Sequence, residues 1–296
     1  MTALEFGVRA DTAEVYVPRT AAAARDENAE SPQSESVYVP AAPENTAPVL
    51  SAADKAATLT INNDTDYEVD VAACLAEDTH IRAAGEGPQV LVFHTHASES
   101  YTPDAAFPYT PTEPERTTDT RYNVVRVGDE LCSALEERGI QTVHLRSLFD
   151  TPTYAGSYDR SLEAVEQALA EYPSVKVVID LHRDSILTDE GVAYRTSCTI
   201  DDTETAQLMF VVGTDAGGLY HPDWRENLSF ASTLQYALNR AYPSLMRPLN
   251  LRTQRFDQHA SPGSLLIEVG SSGNTLPEAL SAVRLFADVL ADEMTG

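Results

Sequence analysis

Ionisable side chains stand at the ends of three apolar runs in this chain, and their types are those that carry hydrolytic chemistry. The runs are VLVF, VVI and LLI, and the residues that follow them are His94, His96 and Glu99, then Asp180 and His182, then Glu268. A charged group at the end of a buried strand is costly unless a partner compensates it. Because the carboxyl ends of neighbouring parallel strands meet at one edge of a sheet, we expect these side chains to form one site.

Two imidazoles and one carboxylate in this set match the ligands of a catalytic zinc ion. His96 and Glu99 have the spacing H-x-x-E, which places both side chains on one side of a turn, and His182 follows a neighbouring strand. Zinc bound there would lower the pKa of a water molecule and polarise a scissile carbonyl. Glu268 is then expected to accept the proton of that water and pass it to the leaving amine. Asp180 shares a face with His182 and is expected to orient its imidazole.

Each part of this pattern also has a structural explanation. A single H-x-x-E occurs often by chance, His182 could be a core histidine, and Glu268 could pair with an arginine. The first ligand is open as well, because His94 and His96 would face the same way on an extended segment. We prefer His96, since it completes the spacing with Glu99, and assign His94 to a supporting role or a substrate contact.

A second polar set lies in the stretch RPLNLRTQRFDQH, which precedes the third apolar run. Arginine binds carboxylates through two parallel hydrogen bonds, so Arg252 and Arg255 are candidates for substrate binding, while the role of Arg247 stays open. The alternative is a set of surface ion pairs that offset an acidic body. The sequence supports these two interpretations equally.

Strands and helices alternate from Gln89 onward. Apolar runs such as VLVF and VKVVI are typical of buried strands, and helical spacing of apolar residues predicts helices over about 122–138, 159–171, 224–241 and 276–291. Continuously apolar strands that alternate with helices indicate a sheet covered on both faces. The predicted fold class is therefore α/β, with a mostly parallel or mixed central sheet flanked by helices.

Composition excludes some classes of function. The net charge is −26, from 20 Lys+Arg against 46 Asp+Glu, which disfavours nucleic-acid binding, because phosphates need a basic face. The same charge would be repelled by an anionic membrane surface. The three cysteines form no C-x-x-C pair and are expected to be buried small apolar residues.

The chain divides into three parts by composition and by the pattern of apolar residues. Residues 1–56 are rich in Ala, Pro, Glu and Ser and predict a disordered acidic linker. Residues 57–88 alternate apolar and polar positions around Asn-Asn-Asp-Thr, which predicts a hairpin or another small β-containing segment. Residues 89–296 hold the alternating strands and helices and are predicted to be the catalytic domain.

The chain past the linker resembles the stage II sporulation protein P family of endospore-forming bacteria. The stretches that carry the resemblance are INNDTDYEVD, PQVLVFHTHASESYTP, YNVVRVGDELCSALEERGI, YAGSYDRSLEAVE, VVIDLHRDSI, FVVGTDAGGLYHPDWRENL and RPLNLRTQRFDQHASPGSLLIEVGSSGNTLPEAL. The family is similar in fold to zinc-dependent N-acetylmuramoyl-L-alanine amidases, and the order H-x-x-E, H, E is also that of metallocarboxypeptidases.

The resemblance implies a zinc-dependent peptidoglycan hydrolase. Members cleave the amide between N-acetylmuramic acid and the stem peptide, and also peptide cross-links, during septal thinning and engulfment with the sporulation proteins D and M. The family's metal site maps onto His96 (or His94), Glu99 and His182, and its catalytic glutamate maps onto Glu268. Among the other residues in family motifs, Arg183, Arg252 and Arg255 join His94 as substrate-binding candidates, while Asn123 and Arg126 receive no role.

One departure from the family concerns the N-terminus. Members normally carry an N-terminal membrane helix, and this sequence contains no apolar stretch long enough to span a bilayer. We expect the anchor to lie before Met1 and the protein to act outside the cytoplasm, at the septal or engulfing membrane.

Two other functions remain open at this point. A zinc peptidase of the carboxypeptidase type would need an arginine, such as one between 247 and 255, to hold a terminal carboxylate. A catalytically weak binding protein that recruits a hydrolase would have no need to retain all four site residues.

Overall fold

A seven-stranded sheet forms the centre of the molecule in this computed structural model, which describes residues 51–79, 81–112 and 115–296. The strand order is β1-β8-β7-β9-β4-β2-β3, and β5 and β6 form a separate pair. The strands are β1 (Ile61–Asn63), β2 (Val90–Phe93), β3 (Thr142–His144), β4 (Val177–Asp184), β5 (Ser197–Ile200), β6 (Thr203–Ala206), β7 (Leu208–Gly213), β8 (Leu249–Arg252) and β9 (Ser264–Ser271). The helices are α1 (Ala52–Ala56), α2 (Val71–Ala76), α3 (Val124–Glu137), α4 (Ser157–Glu171), α5 (Trp224–Ala241) and α6 (Leu276–Thr295), with a 3₁₀ turn at Gln258–Ala260.

The sheet is mostly parallel with one reversal. Strands β2, β3, β4 and β9 run in one direction, and β7 pairs with β9 antiparallel. Strands β8 and β1 then follow the direction of β7. The predicted fold class, α/β with a mostly parallel or mixed sheet, is confirmed.

Helices cover both faces of the sheet, because its central strands bury residues on both sides. On one face, side chains such as Val92, Ile179 and Ile267 join the largest core cluster together with residues of α3, α5 and α6. On the other face, Phe93 and Val178 pack with residues of α4 in a smaller cluster. The site residues of β4 and β9 lie on this second face.

The segment before β2, predicted to be a hairpin or another small β-containing segment, holds one short strand. Ile61–Asn63 is a single strand that pairs with β8 at the edge of the main sheet, and the residues after it form helix α2. Asp70 caps that helix by accepting a hydrogen bond from the Ala73 N–H at 3.0 Å. The alternation of apolar and polar residues in β1 could not show which strand β1 pairs with. Its partner is β8, which is distant in sequence.

The predicted linker lies mostly outside the described residues, which begin at Ser51. Its last residues contribute the short helix α1. Strands β5, β6 and β8 were not predicted, since they are short and only partly apolar. No helix within the described ranges is long and apolar enough to cross a membrane.

Candidate active site

His182 and Glu268 lie side by side in the sheet. Strands β4 and β9 are parallel neighbours, and the register places His182 opposite Glu268. Residues opposite each other in neighbouring strands project to the same face, so both side chains point away from the large core. They lie within their strands rather than after them, because β4 continues to Asp184 and β9 to Ser271.

His96 and Glu99 lie in a turn that polar side chains hold in place directly after β2. The Thr95 N–H and hydroxyl donate to the carboxylate of Asp180 at 2.9 and 2.7 Å. The Ser98 hydroxyl donates to Asp150 at 2.5 Å. These bonds end the strand at Phe93 and turn the chain back toward β4.

The turn separates the two histidines that an extended segment would have placed together. His94 is fully buried, and its ring nitrogens lie 2.8 Å from the Leu181 carbonyl oxygen and 2.8 Å from Nε2 of His144. Directly after the end of β2, the His94 side chain therefore forms a hydrogen bond with the backbone of β4. The His96 ring instead approaches His182, with centroids 5.3 Å apart. The structure thus brings His96, and not His94, to the candidate ligand group.

The contacts of His182 define its orientation. Its Nδ1 lies 3.4 Å from Oε2 of Glu99, and its Nε2 lies 2.8 Å from Oδ1 of Asp180. A carboxylate beside one imidazole nitrogen orients the ring and leaves the other nitrogen for a ligand. Asp180 has the orienting position that the sequence suggested.

The two glutamates of the site have opposite protonation tendencies. Burial acts to raise the pKa of Glu99, but the hydrogen bond and charge of His182 and the charge of Arg183 outweigh it and hold this pKa at about 2. Burial raises the pKa of Glu268 to about 8, and the charges of Glu99 and Asp184 act in the same direction. Two carboxylates whose environments separate their pKa values are suited to different tasks, with Glu99 as a permanent anion and Glu268 as a proton carrier.

The imidazoles are also distinct. Burial and the neighbouring His182 lower the pKa of His96 to about 4, so its ring is neutral at pH 7. Burial opposes the charged form of His182, but Asp180 and Glu99 raise its pKa well above the usual value. Of the two, His96 is the ring with a lone pair available to a ligand at neutral pH.

The residues present fit a zinc ion in their chemistry. Two imidazoles and a carboxylate are zinc ligands, and the rings of His96 and His182 have centroids 5.3 Å apart. Oε2 of Glu268 is buried without a hydrogen-bond partner. Nevertheless, no three His, Cys, Asp or Glu side chains within the described ranges are arranged as a ligand set. Tyr154 faces His96 Nε2 instead, with its hydroxyl 2.9 Å away.

Arg183 is close to the site but supports the loop above it. It is 4% exposed, and its guanidinium donates to the carbonyl oxygens of Ser100 and Glu115 at 3.0 and 2.7 Å. Its backbone N–H donates to Oε2 of Glu99 at 3.2 Å. These bonds occupy the side chain that the sequence offered as a substrate contact.

The arginines of the second polar set divide between the two ends of the sheet. Arg252, at the end of β8, pairs with Asp64, and Arg255 donates to the Tyr220 carbonyl at 3.2 Å. Arg247, just before β8, donates to Asp184 at 2.7 Å, one residue beyond Arg183 on the site strand. Because β8 runs opposite to β4 and β9, its start lies at the site edge and its end at the other. The structure does not bring Arg252 to the candidate ligand group.

The remaining motif residues have structural contacts. Asn123 caps α3, with its side-chain oxygen accepting from the Val125 N–H at 3.0 Å. Arg126 forms an ion pair with Glu130 one turn along the same helix.

Sequence reasoning missed two residues beside the ligand group. Tyr154 stacks on His96 with ring centroids 4.3 Å apart. Arg116 lies 3.6 Å from Glu99 and 3.0 Å from Asp150. The stretch YAGSYDRS, already quoted for the family resemblance, was the available signal for Tyr154, whereas no periodicity marks Arg116.

The fold and site define a mixed α/β protein with a buried group of two imidazoles and two carboxylates beside its central strands. The sequence profile of the family described as Stage II sporulation protein P (SpoIIP) matches residues 11–291. This chain belongs to that family.

A curated relative and several solved structures are similar to the chain. Stage II sporulation protein P of Bacillus subtilis (strain 168) is 30% identical over 227 residues, which are 73% of this chain and 53% of that protein. The chain therefore spans about half the length of that relative. The N-acetylmuramoyl-L-alanine amidase AmiC2 of Nostoc punctiforme has a TM-score of 0.40 at 13% identity, over 71% of this chain and 97% of that one. The CwlD amidase from Clostridioides difficile, in complex with the GerS lipoprotein, has a TM-score of 0.40 at 12% identity, over 70% and 96%. At these TM-scores the structural likenesses carry no argument about function.

Proposed function

We propose that this chain is a zinc-dependent peptidoglycan hydrolase of sporulation, an N-acetylmuramoyl-L-alanine amidase that also cuts peptide cross-links. The observation that carries the proposal is the buried group of His96, Glu99 and His182 beside Glu268, in which the pKa of Glu99 is held at about 2 and that of Glu268 is raised to about 8. Membership of the sporulation family supports the biological setting. The proposed partners are the sporulation proteins D and M, and the proposed location is outside the cytoplasm, at a membrane reached through an anchor.

The residues have separate tasks in this proposal. His96, Glu99 and His182 would hold zinc, which when bound supplies a water of lowered pKa and polarises the scissile carbonyl. Asp180 keeps the His182 ring in place. Glu268 takes the proton of the attacking water and delivers it to the amide nitrogen as the carbon–nitrogen bond breaks. A group with a pKa near the working pH is well suited to both transfers.

Digestion of purified sacculi tests the proposal. We expect Glu268→Gln to retain zinc and to lose at least about 100-fold of the digestion rate, since it removes the proton carrier. His182→Ala should lose stoichiometric zinc. Glu204→Gln, which alters an exposed carboxylate paired with Arg195, is the matched control and should behave as wild type.

The products decide between the two bonds. New alanine N-termini with intact glycan chains identify cleavage at muramic acid, whereas separated cross-linked peptides identify endopeptidase activity. Digestion that Glu268→Gln leaves undiminished would exclude the assigned mechanism. Cleavage of free peptides from the carboxyl end, without action on sacculi, would favour a carboxypeptidase instead.

A further inference from the structure

An exposed tyrosine covers a site whose proposed ligands are almost closed to solvent. His96, Glu99 and His182 are 6%, 7% and 4% exposed, whereas Tyr154 is 57% exposed. The Tyr154 ring lies parallel to that of His96, with an interplanar angle of 13°, and its hydroxyl is 2.9 Å from His96 Nε2. Tyr154 thus covers the His96 ring and is itself open to solvent.

The hydroxyl of Tyr154 is hydrogen-bonded to His96, which the proposed function requires as a zinc ligand. Nε2 of His96 can accept a hydrogen bond from this hydroxyl only while its lone pair is not bound to an ion. Zinc binding at this nitrogen would free the hydroxyl a few ångströms from the proposed reaction centre.

Other strong donors near the site are already committed to protein oxygens. The guanidinium of Arg183 donates to Ser100 and Glu115. Arg116 donates to Ser98 and Asp150. Arg116 also lies 3.6 Å from the carboxylate of Glu99, whereas the Tyr154 hydroxyl faces a ring nitrogen of a proposed ligand.

The loop that carries Tyr154 is held by one arginine. Arg160 donates to the carbonyl oxygens of Phe149, Thr153 and Ala155 at 2.7, 2.6 and 3.1 Å. Arg116 lies over the Tyr154 ring, 5.1 Å from its centroid. A donor fixed by its loop in this way needs little reorganisation during a reaction.

We propose that Tyr154 is a catalytic residue of this site, whose hydroxyl donates a hydrogen bond to the oxygen of the scissile amide as negative charge develops there. The inference rests on the proposed function. Water oxygen bonds to the carbonyl carbon, Glu268 carries the proton to the leaving nitrogen, and Tyr154 keeps its own proton throughout. A phenol hydroxyl is protonated at neutral pH, so the group is a hydrogen-bond donor there.

Tyr154→Phe in the full zinc-loaded chain tests the inference, because it keeps the stacked ring and removes only the hydroxyl. With a soluble muropeptide as substrate, we expect kcat to fall by about 100-fold, the usual loss for one such donor, with KM nearly unchanged. Zinc affinity, measured by competition with a chromophoric chelator, should rise by about fivefold, because one competing neutral hydrogen bond is lost. A residue that merely supports the site would not move these two quantities in opposite directions.

The control is Tyr220→Phe, which alters a tyrosine that is 79% exposed and whose carbonyl contacts Arg255; it should leave both quantities unchanged. Thermal unfolding of each variant shows that it is folded. A kcat within twofold of wild type in Tyr154→Phe would overturn the inference, and so would weaker zinc binding. If the wild-type chain binds no zinc and cleaves no muropeptide, the proposed function fails and the inference fails with it.

Discussion

At the scale of single residues, burial decides which ionisable groups carry protons. Glu99 and Asp180 are buried against His182, and they are compensated by it. Glu268 and Asp257 are buried without an equally close cation, and their pKa values rise to about 8 and about 7. The same cost of burial therefore has opposite outcomes: His182 keeps Glu99 ionised, whereas Glu268 and Asp257 are shifted toward their protonated forms.

Asp257 gives a testable pH dependence at this scale. Burial raises its pKa from 3.8 to about 7, with the charge of Asp180 acting in the same direction and the Ser161 hydrogen bond opposing it. Between pH 4 and 7 the folded chain keeps a proton that the unfolded chain releases, so this group makes stability fall as pH rises, by at most about 1.4 kcal/mol per unit. We expect Asp257→Asn, in the metal-free chain, to reduce the loss of stability between pH 5 and pH 7. Urea unfolding at both pH values measures it, and an unchanged pH dependence would contradict the assigned cause.

At the scale of elements, the direction of the strands determines which residues can meet. The reversal between β7 and β9 places the start of β8 beside the end of β4, so Arg247 reaches Asp184 and Arg252 does not. The early end of β2 sends His94 to the Leu181 carbonyl and His96 to His182. Close packing of α3 on these strands keeps that arrangement in place.

Gly128 on α3 is the point at which this packing can be tested. A Cβ at this position would lie 2.6 Å from Nε2 of both His94 and His144. We therefore expect Gly128→Ala to destabilise the chain by roughly 1–3 kcal/mol, although alanine is intrinsically better than glycine in a helix by about 1 kcal/mol. The exposed Ser133 on the same helix supplies the control, Ser133→Ala, which should be neutral. Chemical unfolding that shows Gly128→Ala to be as stable as wild type would mean that the two histidines can move apart freely.

At the scale of the whole molecule, the last helix, α6, completes the main hydrophobic core by packing on the central sheet. Helix α6 packs against α3. Phe286 of α6 is fully buried, and its ring contacts that of Phe210 in β7, with centroids 6.1 Å apart. The site residues lie on sheet strands and on loops supported by them, so their geometry depends on this long-range closure.

Phe286→Ala should accordingly destabilise the whole chain, by about 3–5 kcal/mol, through lost burial and the cavity left behind. The neighbouring Arg284 is exposed and pairs with Glu130 and Glu137, and Arg284→Ala should cost less than about 1 kcal/mol. Thermal or urea unfolding compares the two. Equal effects would show that the core relaxes around the missing ring.

Local sequence determined a large part of this protein. Continuously apolar strands and amphipathic helices predicted the α/β class, since burial on both faces leaves a readable pattern. The free-energy cost of burying ionisable groups at strand ends indicated a site formed by His96, Glu99, His182 and Glu268. The structure places these residues in one region. The family resemblance located the chain among sporulation proteins, and the matching profile and relative confirmed that family.

Tertiary structure decided what no local pattern records. Apolar runs do not encode strand direction, so the separation of Arg247 from Arg252 could not be read from the stretch that contains both. The position of Tyr154 against His96 depends on a loop held by Arg160. The two residues are too far apart in sequence for their spacing to predict this contact. The different directions of His94 and His96 depend on side-chain hydrogen bonds that end β2, because a turn, unlike a strand, sends neighbouring side chains to different partners.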